Sequence, residues 1–294
     1  MYERYWQVET NKKWRSVIRP KTGWFDIDLK ELWRYRDLVK MFVKRDFVTF
    51  YKQTVLGPLW FIINPVLTTL VFTVVFGGIA GLAPGGVPSF LFYMAGNTIW
   101  LYFSTCLTNT SSTFTANANI FGKVYFPRLT MPISTVIFAF ISFGVQFVLF
   151  IILLVIMKLS GAGVEPNLWI LATPLLILEV AMLGLGVGII ISALTTKYRD
   201  LQMLVAFGVQ LWMYATPVVY DVATVQGLNV APWLKTVYML NPMAPVVETF
   251  RYAFLGTGSP QPTFLAISFG TTLLLLGIGV ILFSRVEKTF MDTV

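Results

Sequence analysis

The chain has 294 residues, of which 56% are hydrophobic, 16% aromatic and only 12% charged. A soluble domain carries about 25% charged residues, so this composition excludes an ordinary soluble fold and points to lipid as the solvent. The net charge is +8, and thirteen of the 22 Lys and Arg precede residue 53, where anionic lipid on a cytoplasmic membrane face would hold them.

Residues 1–29 are polar and mixed in charge. They show no apolar region of a cleavable signal peptide and are expected to form a cytoplasmic N-terminal segment. From 30 to 52 the chain reads KELWRYRDLVKMFVKRDFVTFYK, with Leu32, Tyr35, Val39, Phe42 and Phe47 or Phe50 near helical spacing and cations on other faces. That pattern predicts an amphipathic helix along the cytoplasmic membrane surface; a plain cytoplasmic helix packed on protein is the alternative. Residues 53–122 then contain no Lys, Arg, Asp or Glu. Gly57-Pro58 lets the chain turn, because Pro58 starts a helix without losing a needed donor. Trp60 is expected at headgroup depth, where an amphipathic ring is favoured.

A membrane helix needs about 20 apolar residues to cross roughly 30 Å of hydrocarbon. Six stretches qualify, at about 58–80, 90–116, 132–157, 168–195, 202–220 and 262–284. Turn residues separate them, among them Ala83 to Pro88 and Ser160 to Pro166. With the N-terminus inside, the inner segments hold nineteen Lys and Arg and the outer loops three. That asymmetry predicts a multi-pass protein with both termini in the cytoplasm.

The second span is rich in small polar residues. Asn97, Ser104, Thr108, Ser111 and Thr115 share one face, widened by Thr105, Asn109 and Ser112, with Phe103, Leu107 and Phe114 roughly opposite. Polar side chains facing lipid are costly, so this face meets other helices or water. Two readings stand: hydroxyl groups gluing helices together, or the lining of a conduit for a hydroxylated substrate, with Trp100 and Tyr102 able to stack on sugar rings. Glu179 is the only charged residue well inside a span, and the chain has no histidine. An intramembrane carboxylate is a functional candidate, but one alone makes a poor proton relay, so a hydrogen bond to a neighbouring span is expected. Gly184, Gly186 and Gly188 follow it, and Gly184/Gly188 has the spacing of close helix contacts, a role also open to Gly277 and Gly279.

About 40 residues, Asp221 to Gln261, separate the fifth and sixth spans. Pro232 to Leu240 and Val246 to Leu255 are both largely apolar and too short to cross, with Asn241-Pro242 and Pro245 between them. Such segments read as re-entrant helices dipping from the outer surface; a cap packed on the bundle is the alternative. The inner loops are Ala116 to Leu129 and Thr196 to Asp200, both combining aromatic and arginine residues that suit a protein partner, or simply anchoring on the inner side.

Catalytic signatures are missing. With no His and one Cys, Cys106, zinc hydrolysis and a Ser-His-Asp triad are excluded. The phosphate-cradling pattern G-x-x-x-x-G-K-[ST] does not occur, so the chain is not expected to be an enzyme; energy for uphill transport would come from another subunit.

Several motifs in order carry a family resemblance. They are Leu-Trp-Arg-Tyr-Arg-Asp-Leu (32–38), Tyr-Lys-Gln-Thr-Val-Leu-Gly-Pro-Leu-Trp (51–60), Lys-Val-Tyr-Phe-Pro-Arg (123–128) and Tyr-Arg-Asp (198–200). Thr-Pro-Val-Val-Tyr (216–220), Asn-Pro-Met (241–243) and the Phe283, Glu287, Phe290, Asp292 spacing follow. Together with six spans they resemble the membrane subunit of polysaccharide-exporting ABC transporters, which move O-antigen, capsule or teichoic-acid chains. The resemblance covers roughly 24–294 and implies an all-α polytopic permease with six transmembrane helices, an N-terminal interfacial helix and a re-entrant pair. It implies a homodimer bound to two copies of an ATPase subunit that holds ATP and Mg, no cofactor on this chain, and a lipid-linked polysaccharide as cargo.

By the same resemblance, Asn119, Lys123, Tyr125, Phe126, Arg128, Tyr198, Arg199 and Asp200 would couple to the ATPase. Trp60, Tyr102, Asn109, Trp212 and Tyr214 would line the conduit, and Asn241, Pro242, Glu248 and Arg251 would belong to the outer gate. A permease of this architecture for a drug or small lipid is the alternative, followed by an integral-membrane enzyme acting on lipid-linked sugars, which would need an acidic cluster that this sequence does not supply.

Overall fold

The computed structural model describes residues 29–52, 56–121, 123–124, 126–195, 200–227, 229 and 231–293, with backbone alone at 29, 118 and 287–293. Among the described residues the regular elements are all helical. The N-terminal segment lies almost wholly outside them.

The helix expected over 30–52 forms as α1 (Leu29–Arg34) and α2 (Arg36–Lys52), with a break at Tyr35. Val39 and Phe42 turn inward while Trp33, Met41, Phe47 and Tyr51 stay open. At Gly57 φ is +51°, the left-handed region that only glycine enters without strain, and Pro58 then opens a tight turn. α3 (Trp60–Phe72) follows and widens into π-type turns over Thr73–Ile79. The wide turns show in the Ala80 amide bonding back five residues to the Val75 carbonyl at 2.9 Å.

Next come α4 (Ser89–Ser111), the short α5 (Thr113–Phe121) and α6 (Thr130–Leu159). A tight turn at Leu168–Ala172 leads into α7 (Thr173–Thr195), and α8 spans Leu201–Tyr214. The long connection folds as α9 (Val222–Gly227), α10 (Pro232–Met239) and α11 (Met243–Leu255), and α12 (Pro262–Thr293) closes the chain.

Among the described residues, four stretches are long and apolar enough to cross a membrane: Gly57–Ile79, Thr130–Leu159, Leu168–Thr195 and Pro262–Val286. They coincide with the first, third, fourth and sixth expected spans. α4 has 23 residues, about 35 Å at the helical rise, but its Ser, Thr and Asn content dilutes its hydropathy. α8 has 14 residues, about 21 Å. The helix expected to reach residue 220 stops at Tyr214, because Pro217 lacks an N–H and disfavours helix at Thr216.

α4 is the hub, touching α3, α6, α7, α8 and α11. Every residue from Leu91 to Trp100 is buried. The close seams are made by glycine, as the spacing suggested. A methyl group at Gly184 would lie 2.6 Å from Cβ of Cys106, and one at Gly188 2.6 Å from Cβ of Thr110, so these two face α4. Gly186 points the other way, where a methyl would lie 2.8 Å from Cα of Leu276 on α12. Gly279 answers it, with a methyl there 2.7 Å from the Gly186 carbonyl. Gly277 has open space around it and takes no part in the seam.

Candidate functional site

The polar side chains of α4 divide into two sets. One set holds neighbouring helices. Asn97 donates to the Pro65 carbonyl and to Thr69 Oγ1, both at 3.4 Å, tying α4 to α3. Thr195 on α7 donates to the Ser111 carbonyl at 3.3 Å, and Ser192 accepts from the Phe114 amide at 3.4 Å. The other set faces outward. Thr108 and Asn109 are exposed, flanked by half-buried Ser104, Thr105, Ser112 and Thr115. Ser104, Ser112 and Thr115 spend their protons on carbonyls three residues back, at 3.2, 3.0 and 3.0 Å, leaving their oxygens as acceptors. The stripe therefore offers acceptors, together with the Asn109 amide, over the last turns of α4 and the start of α5 on the open surface of one chain.

The conduit candidates separate in the same way. Trp60 is 42% exposed and Tyr214 47%, and Asn109 is open. Tyr102 is 4% exposed, its ring 4.9 Å from that of Phe143 and 6.2 Å from Phe140. Trp212 is half-buried, edge-on to Phe103 at 4.9 Å, and its indole N–H donates to Asn241 Oδ1 at 2.9 Å. In one chain these two rings belong to the interior.

Asn241 is the junction between α8 and α11. Besides accepting from Trp212, its Oδ1 accepts from the Met243 amide at 3.1 Å, which starts α11. Its Nδ2 donates to the Ala215 carbonyl at 2.8 Å and Thr216 Oγ1 at 2.9 Å. Both donor hydrogens and both acceptor positions are thus used, locking the end of α8 to the start of α11. Pro242 continues the turn. Its carbonyl lies 2.7 Å from Ser268 Oγ on α12, and that hydroxyl also hydrogen-bonds Glu179 on α7. Glu179 thus sits beneath the Asn241-Pro242 turn and joins α7, α12 and α11.

α11 is almost wholly buried, packed on α4, α7, α12 and the Leu168–Ala172 turn. Its other end is capped from the loop between α6 and α7. Asn167 Nδ2 donates to the Tyr252 carbonyl at 2.7 Å, and the Asn167 amide reaches the Ala253 carbonyl at 3.0 Å. Sequence reading missed this role for Asn167; an Asn after Pro166, just ahead of a helical run, was the available signal.

Arg251 is 1% exposed and Glu248, one turn earlier, 3%. The Arg251 guanidinium donates to the carbonyls of Tyr220 at 3.0 Å and of Val218, and lies 3.7 Å from the Phe92 ring centre. It fits because residue 96 is glycine: any Cβ there would meet Nη2 and lie 2.9 Å from the Val218 carbonyl. Glu248 Oε1 accepts from the Ser259 amide at 3.1 Å. These two side chains thus staple the 218–220 turn and the 256–259 loop onto α11. α10 is the exposed partner, with Trp233, Leu234, Val237 and Leu240 open.

At the other end, an aromatic cluster supports the inner loop. Phe42 on α2 lies 5.8 Å from Phe126, Phe126 5.8 Å from Phe121, Phe121 5.9 Å from Phe114, and Phe114 4.5 Å from Phe283 on α12. Phe126 is therefore an anchor, buried with its neighbours, and Arg128 lies over the Phe121 ring at 5.5 Å. Asn119, Lys123 and Asp200 are exposed. Tyr125, Tyr198 and Arg199 lie outside the described residues. Among the described residues, no three His, Cys, Asp or Glu come together to hold a metal.

A helical bundle with several stretches long and apolar enough to cross a membrane, a polar stripe on its central helix and an aromatic-anchored loop has the build of a multi-pass membrane protein. The chain belongs to the ABC-2 type transporter family, which it matches over residues 37–255. It is similar to the O-antigen export system permease protein RfbA of Klebsiella pneumoniae, 29% identical over 258 residues, covering 87% of this chain and 94% of the relative. It is also similar to the O-antigen export system permease protein RfbA of Myxococcus xanthus, 27% identical over 267 residues, covering 90% of this chain and 98% of the relative.

Proposed function

We propose that this chain is the permease of an ABC exporter that passes a lipid-linked, O-antigen-like polysaccharide across the bacterial cytoplasmic membrane. It works as a homodimer with two copies of a separate ATPase subunit, which bind ATP and Mg; this chain binds neither. The chain crosses the bilayer six times, α4 and α8 supplying the second and fifth crossings, with both termini in the cytoplasm. α10 and α11 dip back from the outer surface as the gate, and Asn119 to Arg128 with Tyr198 to Asp200 receive the push of the ATPase.

The observation that carries this reading is the outward stripe of α4. Ser104, Thr108, Asn109, Ser112 and Thr115 are open or half-open along the last two turns of α4 and the start of α5, where contact with lipid would penalise them. A water-filled path shared between two copies removes that penalty, and hydroxyl and amide groups suit a cargo made of hydroxyls. The extended likeness to O-antigen export permeases supports the same cargo.

Deleting the gene in its native host tests the reading. Surface polysaccharide should disappear while lipid-linked glycan accumulates inside, with both restored by the plasmid-borne gene. Undiminished surface glycan in the deletion strain would refute it, as would robust ATP hydrolysis by the purified chain alone. Labelling of a cysteine at position 123 or 199 from outside intact cells would refute the topology.

A further inference from the structure

We infer that the trough between α2 and α6 is a binding site for one anionic phospholipid of the leaflet along which α2 lies. The inference rests on the reading of α2 as a membrane-surface helix. Val39, Val43 and Phe47 form one wall, Ile137 and Ile141 the other, and Lys40 and Lys44 stand at the rim of a volume of about 460 Å³. Small-molecule sites span about 300–1,000 Å³.

The dimensions suit an acyl chain. Counted from the start of α6 at Thr130, Ile137 and Ile141 lie about 10 and 16 Å along the helix. The hydrocarbon core is about 30 Å thick, so with Thr130 at the surface the two isoleucines lie at the depth that one leaflet's acyl chains reach. Phe47, Ile137 and Ile141 are open in the chain by itself.

The rim supplies the charge. Arg36, Lys40 and Lys44 repeat every four residues and are all exposed, forming one cationic line beside the trough. Their only acidic neighbour on that line is Asp37, 3.1 Å from Lys40, with the two side chains 74% and 78% exposed. Exposed pairs of this kind hold weakly and yield to a phosphate. Lys44 has no ion-pair partner among the described residues, whereas Arg45 turns away to Asp46 at 2.8 Å and to the Phe42 ring.

An apolar floor under a cationic rim is the complement of an anionic amphiphile. No lining residue carries a hydroxyl or amide side chain, so nothing there would recognise a sugar. A second copy docking on the same face would bring two cationic lines together, which is unfavourable.

The test uses the full complex with its ATPase, reconstituted in nanodiscs of phosphatidylglycerol mixed with phosphatidylcholine, and lipid retained after mild delipidation is counted by native mass spectrometry. One phosphatidylglycerol per chain should be retained in preference to phosphatidylcholine. Retention should fall at least tenfold in Lys40→Glu/Lys44→Glu, and also in Ile141→Trp, which fills the trough and leaves both lysines in place. Equal retention of the two lipids, or phosphatidylglycerol retention unchanged in both variants, would overturn the site. So would finding lipid-linked glycan in the trough, or cross-linking of Ile141→Cys to its own copy. A nitroxide on Ile156→Cys, on the open face of α6, separates the two levels. Oxygen-accessible label with failed lipid arms removes the site alone, whereas water-accessible label removes the membrane reading with it.

Discussion

Two glycines on α12, two residues apart, should respond oppositely to the same substitution. At Gly279 a new methyl would lie 2.7 Å from the Gly186 carbonyl and 2.7 Å from Cγ1 of Ile189. Carbon atoms rest at about 3.5–4.0 Å, so α7 and α12 must separate by about 1 Å or twist. The carbonyl is backbone and cannot rotate away. Overpacking of this kind costs about 1–3 kcal/mol. At Gly277 nothing lies within 4 Å, and replacing a helix-interior glycine by alanine gains about 1 kcal/mol in propensity. Gly279→Ala should therefore lower the melting temperature of the detergent-solubilised protein, at roughly 2–4 °C per kcal/mol by analogy with soluble domains of similar size. Gly277→Ala should leave it unchanged or raise it. The readout is fluorescence-detected size-exclusion chromatography after graded heating. Because Gly186 and Gly279 meet, Gly186→Ala should also destabilise, and the double variant should be non-additive. Equal melting temperatures for Gly277→Ala and Gly279→Ala would refute the assignment of the α7–α12 seam.

Asn241→Ala should lower the melting temperature by several degrees and reduce export, since it orphans the Trp212 indole and the Met243 amide, each worth about 1–3 kcal/mol when buried unpaired; a melting temperature within one degree of the parent would count against the junction. Asn109→Leu should leave the melting temperature unchanged or raise it while lowering surface polysaccharide severalfold, and normal surface display would exclude the stripe from the path. Phe126→Ala should cost about 3–5 kcal/mol if the aromatic cluster is as tightly packed as a core, seen as lower thermal stability. Arg128→Glu, beside it, should instead reduce co-purification of the ATPase subunit, and normal complex formation and export in that variant would count against the coupling assignment.

Much of this arrangement was legible beforehand. Helices appear where the segment 30–52, the first, third, fourth and sixth expected spans and the two short pieces after span five were expected, within a few residues of their bounds. Charge segregation, runs of apolar residues and Pro/Gly breaks act along the chain, so they need no neighbours to be read. The early end of α8 was itself foreshadowed by Pro217. Gly184 and Gly188 were also readable as close-contact residues, because no other side chain permits such approach.

What only the tertiary structure decided is the facing of each helix. In a soluble protein, polarity marks the outside; in a membrane bundle, lipid and core are both apolar, so the pattern around a helix does not say which side meets protein. Gly277 and Gly279 are equally glycine in sequence, yet only one meets α7. Tyr102 and Tyr214 are equally aromatic, yet one is packed among phenylalanines and the other lies open. The hydroxyls of α4 read as one face, but rotation against α3 and α7 assigned Asn97 and Ser111 to helix contacts and left Thr108 and Asn109 outward. Sequence fixes the angle between two residues on one helix; packing against its neighbours fixes where that helix points.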